Sequence, residues 1–190
     1  RLGLLGELKS LRGDAAKMAA QWEGEIEPID LALFEGAELV VDALFGAGLS
    51  RPIDGVAALV IDDINRRAVP CVAVDVPSGI NGDTGDLLGM APSCALTVTF
   101  FRQKPAHILY PGRGLCGDVV LADIGISEVV LSDIAPMVAH NSPSLWFSSF
   151  PKPSPIDHKY SRGYALIVGG AKMTGAARLS ARSAARIGAG

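Results

Sequence analysis

The chain has 190 residues, of which 49% are hydrophobic and 19% charged, so it can bury a core and is neither disordered nor fibrous. Its 17 basic and 20 acidic residues give a formal net charge of −3, without any block of like charge. Nucleic-acid binding through a basic face is therefore not expected. A membrane partner is not expected either, because the apolar runs fall short of the ~20 residues that a membrane span needs.

The first half of the chain alternates apolar runs with helical periodicity. In chain order we predict a strand at residues 2–5, a helix from Asp14 to Trp22, a strand at 38–42, a helix at 52–67 and a strand at 71–75. Asp14 is the predicted N-cap of the first helix, and Gly24 is its predicted stop. Apolar residues of the second helix recur at intervals of three and four, the period of a helix with one buried face.

Two more strands are predicted at 96–101 and 119–124, after a Gly-, Asp- and Asn-rich loop at 76–92. Strands that alternate with helices at this spacing favour parallel pairing. The predicted fold class is therefore α/β, with a Rossmann-like, layered, mainly parallel sheet. No helix separates the last two strands, so we expect the far edge of the sheet to be partly antiparallel or extended.

The composition shifts to Ser and Pro over residues 141–157, which predicts a linker between a first domain at 1–140 and a second at 158–190. Beyond the linker the pattern restarts with a strand at 164–168 and an Ala-rich helix at 174–187. We interpret this as the first βα unit of a second α/β domain that binds a nucleotide. Because the chain begins with an arginine and stops inside a Gly-Ala-Gly run, we expect a fragment of a longer protein.

Aspartates end two of the predicted strands. Asp42 and Asp75 each follow an apolar run and are each accompanied by glycines, and Ser78 follows the second aspartate. The carboxyl ends of parallel strands meet at one sheet edge, where such folds bind ligands, and hard oxygens there can hold a cation or orient sugar hydroxyls. The alternative, of about equal weight from spacing alone, is that each aspartate caps its own turn.

A glycine-bearing loop is predicted to open onto a helix that begins with proline. Its residues are Gly46, Ala47, Gly48, Leu49, Ser50, Arg51 and Pro52. Backbone N–H groups at such a helix start can hold phosphate oxygens, and Arg51 can add a charged contact. The pattern is neither a full GxGxxG nor a Walker loop, so tight packing alone remains an alternative.

Several further residues carry weaker signals. Lys104, at a strand end, either meets a phosphate or carboxylate or is solvated. The loop at 81–86 has the wrong spacing for a calcium site and is predicted to be a surface turn. In the second predicted domain, the residues that either cradle a nucleotide or form a turn and a cap are Gly169, Gly170, Thr174, Gly175 and Ala176.

Histidines and cysteines define no dyad or zinc site by their spacing. The three histidines are far apart in sequence: His107, His140 and His158. The three cysteines, predicted to be buried free thiols, are Cys71, Cys94 and Cys116. Such thiols indicate a reducing compartment, and we expect a cytoplasmic location.

Three segments of the first predicted domain resemble the YjeF N-terminal domain, the NAD(P)H-hydrate epimerase. They are DALFGAGL at 42–49, DVPSG at 75–79 and DVVLADIGI at 118–126. Residues 158–190 resemble the start of the ribokinase-like domain of the ADP/ATP-dependent NAD(P)H-hydrate dehydratase. This order is that of the bifunctional NAD(P)H-hydrate repair enzymes, and the resemblance covers nearly the whole chain.

The resemblance implies roles for individual residues. Asp42 and Ser78 would contact a potassium ion, and residues 46–52 would wrap the hydrated dinucleotide. Asp75 would bind the substrate beside the damaged nicotinamide ring and act as acid and base, with Lys104 supplying a nearby charge. For the second domain the resemblance implies ADP or ATP as a cofactor.

The implied substrates are the hydrates NADHX and NADPHX, whose R and S forms the whole protein would interconvert before dehydrating the S form. The family's Asn- and Gly-rich potassium loop and most of the dehydratase domain are not among these residues, so we expect weak or no activity from this chain alone. Two other interpretations stay open: a small-molecule kinase with a regulatory first domain, and a non-catalytic binding scaffold. The oligomeric state is also open, with a homo-oligomer as one option.

Overall fold

A computed structural model describes residues 1–190. The chain divides into two compact units, Arg1–Ile134 and Ala135–Gly190. In chain order the first unit contains β1 (Leu2–Leu4), α1 (Gly13–Gln21), β2 (Ile26–Pro28), β3 (Val40–Asp42), α2 (Gly55–Arg67), β4 (Cys71–Val74), β5 (Leu96–Phe100), β6 (Asp118–Ala122) and α3 (Val130–Ile134). None of the helices combines the length and the apolar character that crossing a bilayer requires.

The main sheet has four parallel strands in the order β3-β4-β5-β6. This arrangement confirms the predicted α/β class with parallel pairing. The expectation of a partly antiparallel or extended far edge is wrong, because β5 and β6 run parallel from the pair Leu96 and Asp118 to the pair Phe100 and Ala122. Two short 3₁₀ turns, Pro105–His107 and Gly112–Gly114, take the place of a helix in this crossover.

The N-terminal elements differ in detail from those predicted. α1 begins at Gly13 after the extended residue Arg12, so Asp14 lies in the first turn and is not the N-cap. The helix ends at Gln21 and is followed by an extended Trp22, so Gly24 is not its stop. The unpredicted strand β2 pairs in parallel with β1 in a separate two-stranded sheet, because its three residues are too few to produce a periodic pattern.

Helix α2 covers one face of the main sheet and begins three residues later than predicted. The Ile53 N–H donates to the Leu88 carbonyl over 3.0 Å, which holds this segment against the loop at 76–92, and the chain becomes helical after the extended residue Asp54. The buried residues that pack together here are Phe34, Val40, Val60, Ile64, Cys71, Ala73 and Cys94. Of the apolar residues whose spacing predicted this helix, Val60 and Ile64 are buried, whereas Val56 and Leu59 are exposed, so the spacing predicted the helix but only part of its buried face.

The second unit contains α4 (Pro143–Trp146) and α5 (Gly175–Arg186). The predicted helix at 174–187 is present as α5, whereas the predicted strand at 164–168 is not formed. A strand requires a hydrogen-bonded neighbour, and this unit has no strand to pair with. The Ser- and Pro-rich segment is not wholly extended, because it contains α4. The assignment of domains at 1–140 and 158–190 stays a prediction.

Candidate functional site

Three neighbouring strands end at the same edge of the main sheet and bring polar residues there. β3 ends with Asp42, β4 is followed directly by Asp75, and the segment after β5 carries Lys104. In a parallel sheet this carboxyl edge is the usual place for ligand chemistry. The two aspartates have no hydrogen-bond partner in common, so each forms its own cluster.

Asp42 and Ser78 form the first cluster, in which both side chains are buried. The Ser78 hydroxyl donates to Asp42 Oδ1 over 2.6 Å, and the Ser78 backbone N–H donates to Oδ2 over 2.7 Å. The Phe45 N–H donates to the Ser78 hydroxyl over 2.9 Å. The carboxylate therefore holds the turns after β3 and β4 together, and it is more than a cap of its own turn.

Oxygen atoms converge at this cluster without a positive charge beside them. Burial raises the pKa of the Asp42 carboxyl, although its hydrogen bonds from Ser78 and Leu44 work in the opposite direction. The Phe45 carbonyl oxygen lies 3.3 Å from the Ser78 hydroxyl, so a carboxylate, a hydroxyl and a carbonyl oxygen stand together. Hard oxygens of these kinds suit an alkali cation. No group of three or more His, Cys, Asp or Glu residues that could hold a metal ion exists in the chain.

Asp75, Thr99 and Lys104 form the second cluster. The Thr99 hydroxyl donates to Asp75 Oδ1 over 2.9 Å, and the Lys104 ammonium donates to the same oxygen. Lys104 also donates to the Thr99 hydroxyl over 2.9 Å and to the Phe100 carbonyl over 3.2 Å. The three hydrogens of the ammonium group thus have three acceptors. Lys104 is therefore a fixed charge beside Asp75 and is not a solvated lysine.

The Asp75 carboxyl is held in its ionised form. Burial acts to raise its pKa, but hydrogen bonds from Lys104 and Thr99 and the Lys104 charge outweigh burial and hold the pKa below its ordinary value. The backbone of Asp75 has a φ of 71°, in the left-handed region that residues other than glycine rarely adopt. Backbone strain of this kind concentrates at functional sites, where surrounding contacts hold it in place.

His107 joins this cluster, although its spacing in the sequence did not indicate a role. The ring is buried, with 5% of its surface exposed. Its Nε2 lies 2.9 Å from the Asp75 carbonyl oxygen, and its Nδ1 lies 2.9 Å from the Lys104 backbone nitrogen. Thr99 was also missed. The only signal that the sequence offered for Thr99 is its position near the end of the predicted strand at 96–101.

The glycine-bearing loop lines an open groove of about 400 Å³ beside Asp75. The lining residues are Leu44, Phe45, Gly46, Gly48, Leu49, Ser50 and Arg51. A Cβ built at Gly46 would lie 3.7 Å from Asp75 Oδ2, so this carboxylate oxygen lies beside Gly46, although Asp75 itself is not among the lining residues. Ala47 and Pro52 are not among the lining residues, and Pro52 does not open the helix, because α2 begins only at Gly55.

The turn at 81–86 supports this loop. The Asn81 side-chain oxygen accepts the N–H groups of Asp83 and Thr84, over 2.9 and 3.0 Å, which is the geometry of an Asx turn. Gly82 packs directly against Ala47, and a Cβ at Gly82 would lie 2.7 Å from the Ala47 Cβ. The interpretation as a surface turn is thus confirmed, and the turn also buttresses the groove.

The residues singled out in the second unit surround the start of α5. Thr174 precedes the helix and makes no side-chain capping hydrogen bond, and Gly175 and Ala176 are its first residues. Gly169 packs against Ala177, since a Cβ there would lie 2.8 Å from the Ala177 Cβ. A nucleotide contact by these residues stays a prediction. The three cysteines are buried free thiols, as predicted.

Comparison with known proteins assigns this chain to a family. The sequence profile described as "YjeF-related protein N-terminus" matches residues 6–106, more than half of the chain. The chain belongs to this family. The match confirms the family resemblance that the sequence motifs of this YjeF-related chain indicated.

Relatives of this YjeF-related chain are named as NAD(P)H-hydrate repair enzymes or epimerases. The chain is 39% identical over 162 residues to a bifunctional NAD(P)H-hydrate repair enzyme of Thermofilum pendens (85% of this chain, 30% of that protein). A protein with the same name from Coxiella burnetii is 36% identical over 192 residues (98% of this chain, 39% of that protein). An NAD(P)H-hydrate epimerase of Limosilactobacillus fermentum is 47% identical over 94 residues (50% and 45%). The chain thus spans less than half the length of each of these relatives.

A solved structure supports the fold of the YjeF-related chain. The crystal structure of yeast ynu0 matches with a TM-score of 0.50, covering 68% of this chain and 56% of that chain. Its 18% sequence identity limits the likeness to the fold.

Proposed function

We propose that this YjeF-related chain takes part in repairing hydrated nicotinamide dinucleotides, by interconverting the R and S forms of NADHX and NADPHX. One observation carries the proposal: an ionised carboxylate, Asp75, is anchored beside Gly46, a residue that lines an open groove. The names of the relatives supply the substrate class.

Asp75 is the proposed acid and base. Epimerisation breaks and re-forms a bond at the carbon that carries the added hydroxyl, so a group must take and return a proton. Thr99 and Lys104 donate to Oδ1 of Asp75, and Oδ2, which lies beside Gly46, is the oxygen proposed to contact the substrate. Because its pKa is lowered, the carboxylate is ionised at neutral pH and accepts a proton first.

The loop at 46–51 is the proposed binding site for the dinucleotide. Gly46 and Gly48 carry no side chain, so a ligand can approach the backbone closely there. Arg51 lies at the end of the lining and supplies a positive charge suited to a phosphate. Pro52 would fix the chain just beyond this contact.

Asp42, Ser78 and the Phe45 carbonyl are the proposed holders of a potassium ion. The buried carboxylate has no cationic partner in the chain, and burial raises its pKa, so a bound cation would stabilise its charged form. When bound, the ion would neutralise charge and order the turns after β3 and β4. Proton transfer would remain with Asp75.

The second unit is proposed to open an ADP- or ATP-dependent dehydratase domain. Relatives with the bifunctional name align with 98% of the chain, which includes this unit. Its proposed nucleotide contacts are Gly169, Gly170, Thr174, Gly175 and Ala176. We also propose a cytoplasmic location, since all three cysteines are free thiols.

The test is R–S exchange of purified NADHX, followed by chromatography with and without the whole protein to which this chain belongs, since this chain alone is expected to have weak or no activity. The wild-type protein should accelerate exchange, and Asp75→Asn should lower the rate by about 10²- to 10⁴-fold. Asp83→Asn, which changes an exposed aspartate of the neighbouring turn, should exchange at the wild-type rate. Equal rates with and without wild-type protein would favour a kinase with a regulatory domain. A folded Asp75→Asn variant with full activity would exclude the assigned role.

A further inference from the structure

A buried imidazole connects the two charged residues of the second cluster through their backbones. Lys104 donates its backbone N–H to His107 Nδ1 over 2.9 Å, so this ring nitrogen carries no hydrogen. The other ring nitrogen, Nε2, then carries the hydrogen and donates it to the Asp75 carbonyl over 2.9 Å. The contacts fix one neutral tautomer of His107.

The Asp75 backbone is in a left-handed conformation and needs such support. Its N–H donates to the Val98 carbonyl over 2.7 Å, and its carbonyl accepts from His107. Both polar groups of this peptide segment are therefore held, one by the sheet and one by the imidazole. Loss of the imidazole contact would free the carbonyl and let the backbone relax from its φ of 71°.

The charged groups that face His107 are Asp75 and Lys104. Burial lowers the pKa of the imidazole, and the Lys104 charge lowers it further, against opposing effects of Asp75. The neutral ring that the two hydrogen bonds require is thus the form present at neutral pH. A protonated ring would offer no acceptor to the Lys104 N–H.

The turn that carries His107 is anchored without its side chain. The Ala106 N–H donates to the Gly82 carbonyl over 3.1 Å, and Ala106 is fully buried among Val76, Ile80 and Ala91. Replacing the imidazole should therefore leave the turn in place and mainly affect the Asp75 carbonyl and the Lys104 N–H, which the imidazole contacts.

We propose that His107 is a positioning residue, whose imidazole sets the distance and direction between the Asp75 carboxylate and Lys104. The kinetic consequence rests on the proposed epimerase function, whereas the structural one does not. His107 touches only protein groups, so it would act on the substrate through Asp75.

Two variants and one control, made in the whole protein to which this chain belongs, test the proposal. His107→Leu removes both hydrogen bonds and fills the buried site with an apolar side chain. His107→Gln retains one acceptor and one donor at a similar spacing and should restore the connection. His140→Leu is the control, because His140 is exposed and makes no hydrogen bond. Thermal unfolding of each variant verifies that it is folded.

Kinetics and carboxyl NMR give independent measurements. In His107→Leu we expect kcat for R–S exchange to fall about 10- to 100-fold with KM nearly unchanged, because Asp75 loses its orientation and the groove does not change. The pKa of Asp75, measured by ¹³C titration, should rise toward that of a free aspartate. His107→Gln should recover most of both properties, and His140→Leu should match the wild type.

Each outcome decides something. Wild-type kcat together with an unchanged Asp75 titration in His107→Leu would overturn the proposal. If His107→Leu does not fold, ¹⁵N spectra of the wild-type imidazole decide: a hydrogen on Nδ1, or an imidazolium at neutral pH, would contradict it. If the wild-type protein shows no exchange, the proposed function fails, and the Asp75 titration still tests the positioning role.

Discussion

Ser78 donates two hydrogen bonds to the buried carboxylate of Asp42, one from its hydroxyl over 2.6 Å and one from its backbone over 2.7 Å. The same hydroxyl accepts the Phe45 N–H over 2.9 Å. A single serine thereby ties together the turns that follow β3 and β4. The turn after β3 lines the groove, so the stability of this cluster and the shape of the candidate site are coupled.

Ser78→Ala should destabilise the protein by about 1–3 kcal/mol, because it removes the shorter of two hydrogen bonds to a buried carboxylate oxygen and leaves the Phe45 N–H without its partner. Urea unfolding measures the change in free energy. Ser132→Ala, at an exposed helical position, is the matched control and should change the free energy by less than about 0.5 kcal/mol. Equal effects of the two substitutions would mean that the Ser78 contacts contribute nothing net.

Potassium chloride should raise the thermal midpoint more than choline chloride at the same ionic strength. The buried Asp42 carboxylate lacks a cationic partner, and a ligand that binds only the folded state stabilises it by mass action. Differential scanning fluorimetry over a series of salt concentrations measures the shift. In Asp42→Asn the difference between the two salts should vanish, whereas a difference that persists there would place the ion elsewhere.

Lys104→Met should destabilise the protein at neutral pH and have little effect at acidic pH. The folded-state pKa of Asp75 lies below its unfolded value, so the stabilising contribution is present above the unfolded pKa. It is lost as the pH falls through the folded pKa, where Asp75 takes up a proton. Thermal midpoints of the wild type and the variant from pH 7 down to pH 3 should therefore converge.

Lys17→Met is the control for this pH series. Lys17 pairs with Asp14 over 2.9 Å on the exposed side of α1, and exposed pairs of this kind contribute ~0–1 kcal/mol. Its midpoints should follow the wild-type curve at every pH. A Lys104→Met curve that stays parallel to the wild type would show that Lys104 acts through packing and not through the charge of Asp75.

Gly79→Ala should destabilise the protein more than Gly36→Ala. Both glycines have positive φ values, 97° and 72°, which for alanine cost about 1–2 kcal/mol. A Cβ at Gly79 would in addition overlap the Met90 carbonyl, whereas nothing lies within 4 Å of one at Gly36. Chemical unfolding of both variants separates backbone strain from steric overlap. Equal destabilisation would mean that the segment around Met90 moves aside without cost.

Much of the first unit follows from local patterns in the sequence. The apolar runs at β3, β4 and β5 predicted these strands, and the three- and four-residue spacing in α2 predicted the helix. The prediction of secondary structure failed where contacts with distant parts of the chain decide which element forms. Residues 164–168 have the composition of a strand and form none, because no strand in that unit pairs with them. The start of α2 was displaced by a hydrogen bond to a distant loop.

The sequence by itself determined that Asp42 and Asp75 lie at the ends of adjacent parallel strands. Each strand is marked by its own apolar run, and the single helix predicted between the two strands favours parallel neighbours. The family resemblance implied that Ser78 lies with Asp42 and Lys104 near Asp75. Only the tertiary structure decided that the two carboxylates share no partner and that Thr99 and His107 join Asp75. Sequence spacing does not give such contacts. They depend on how the chain closes over separations of 24 to 36 residues, and the entropy of closing a loop varies too slowly with its length to select one partner.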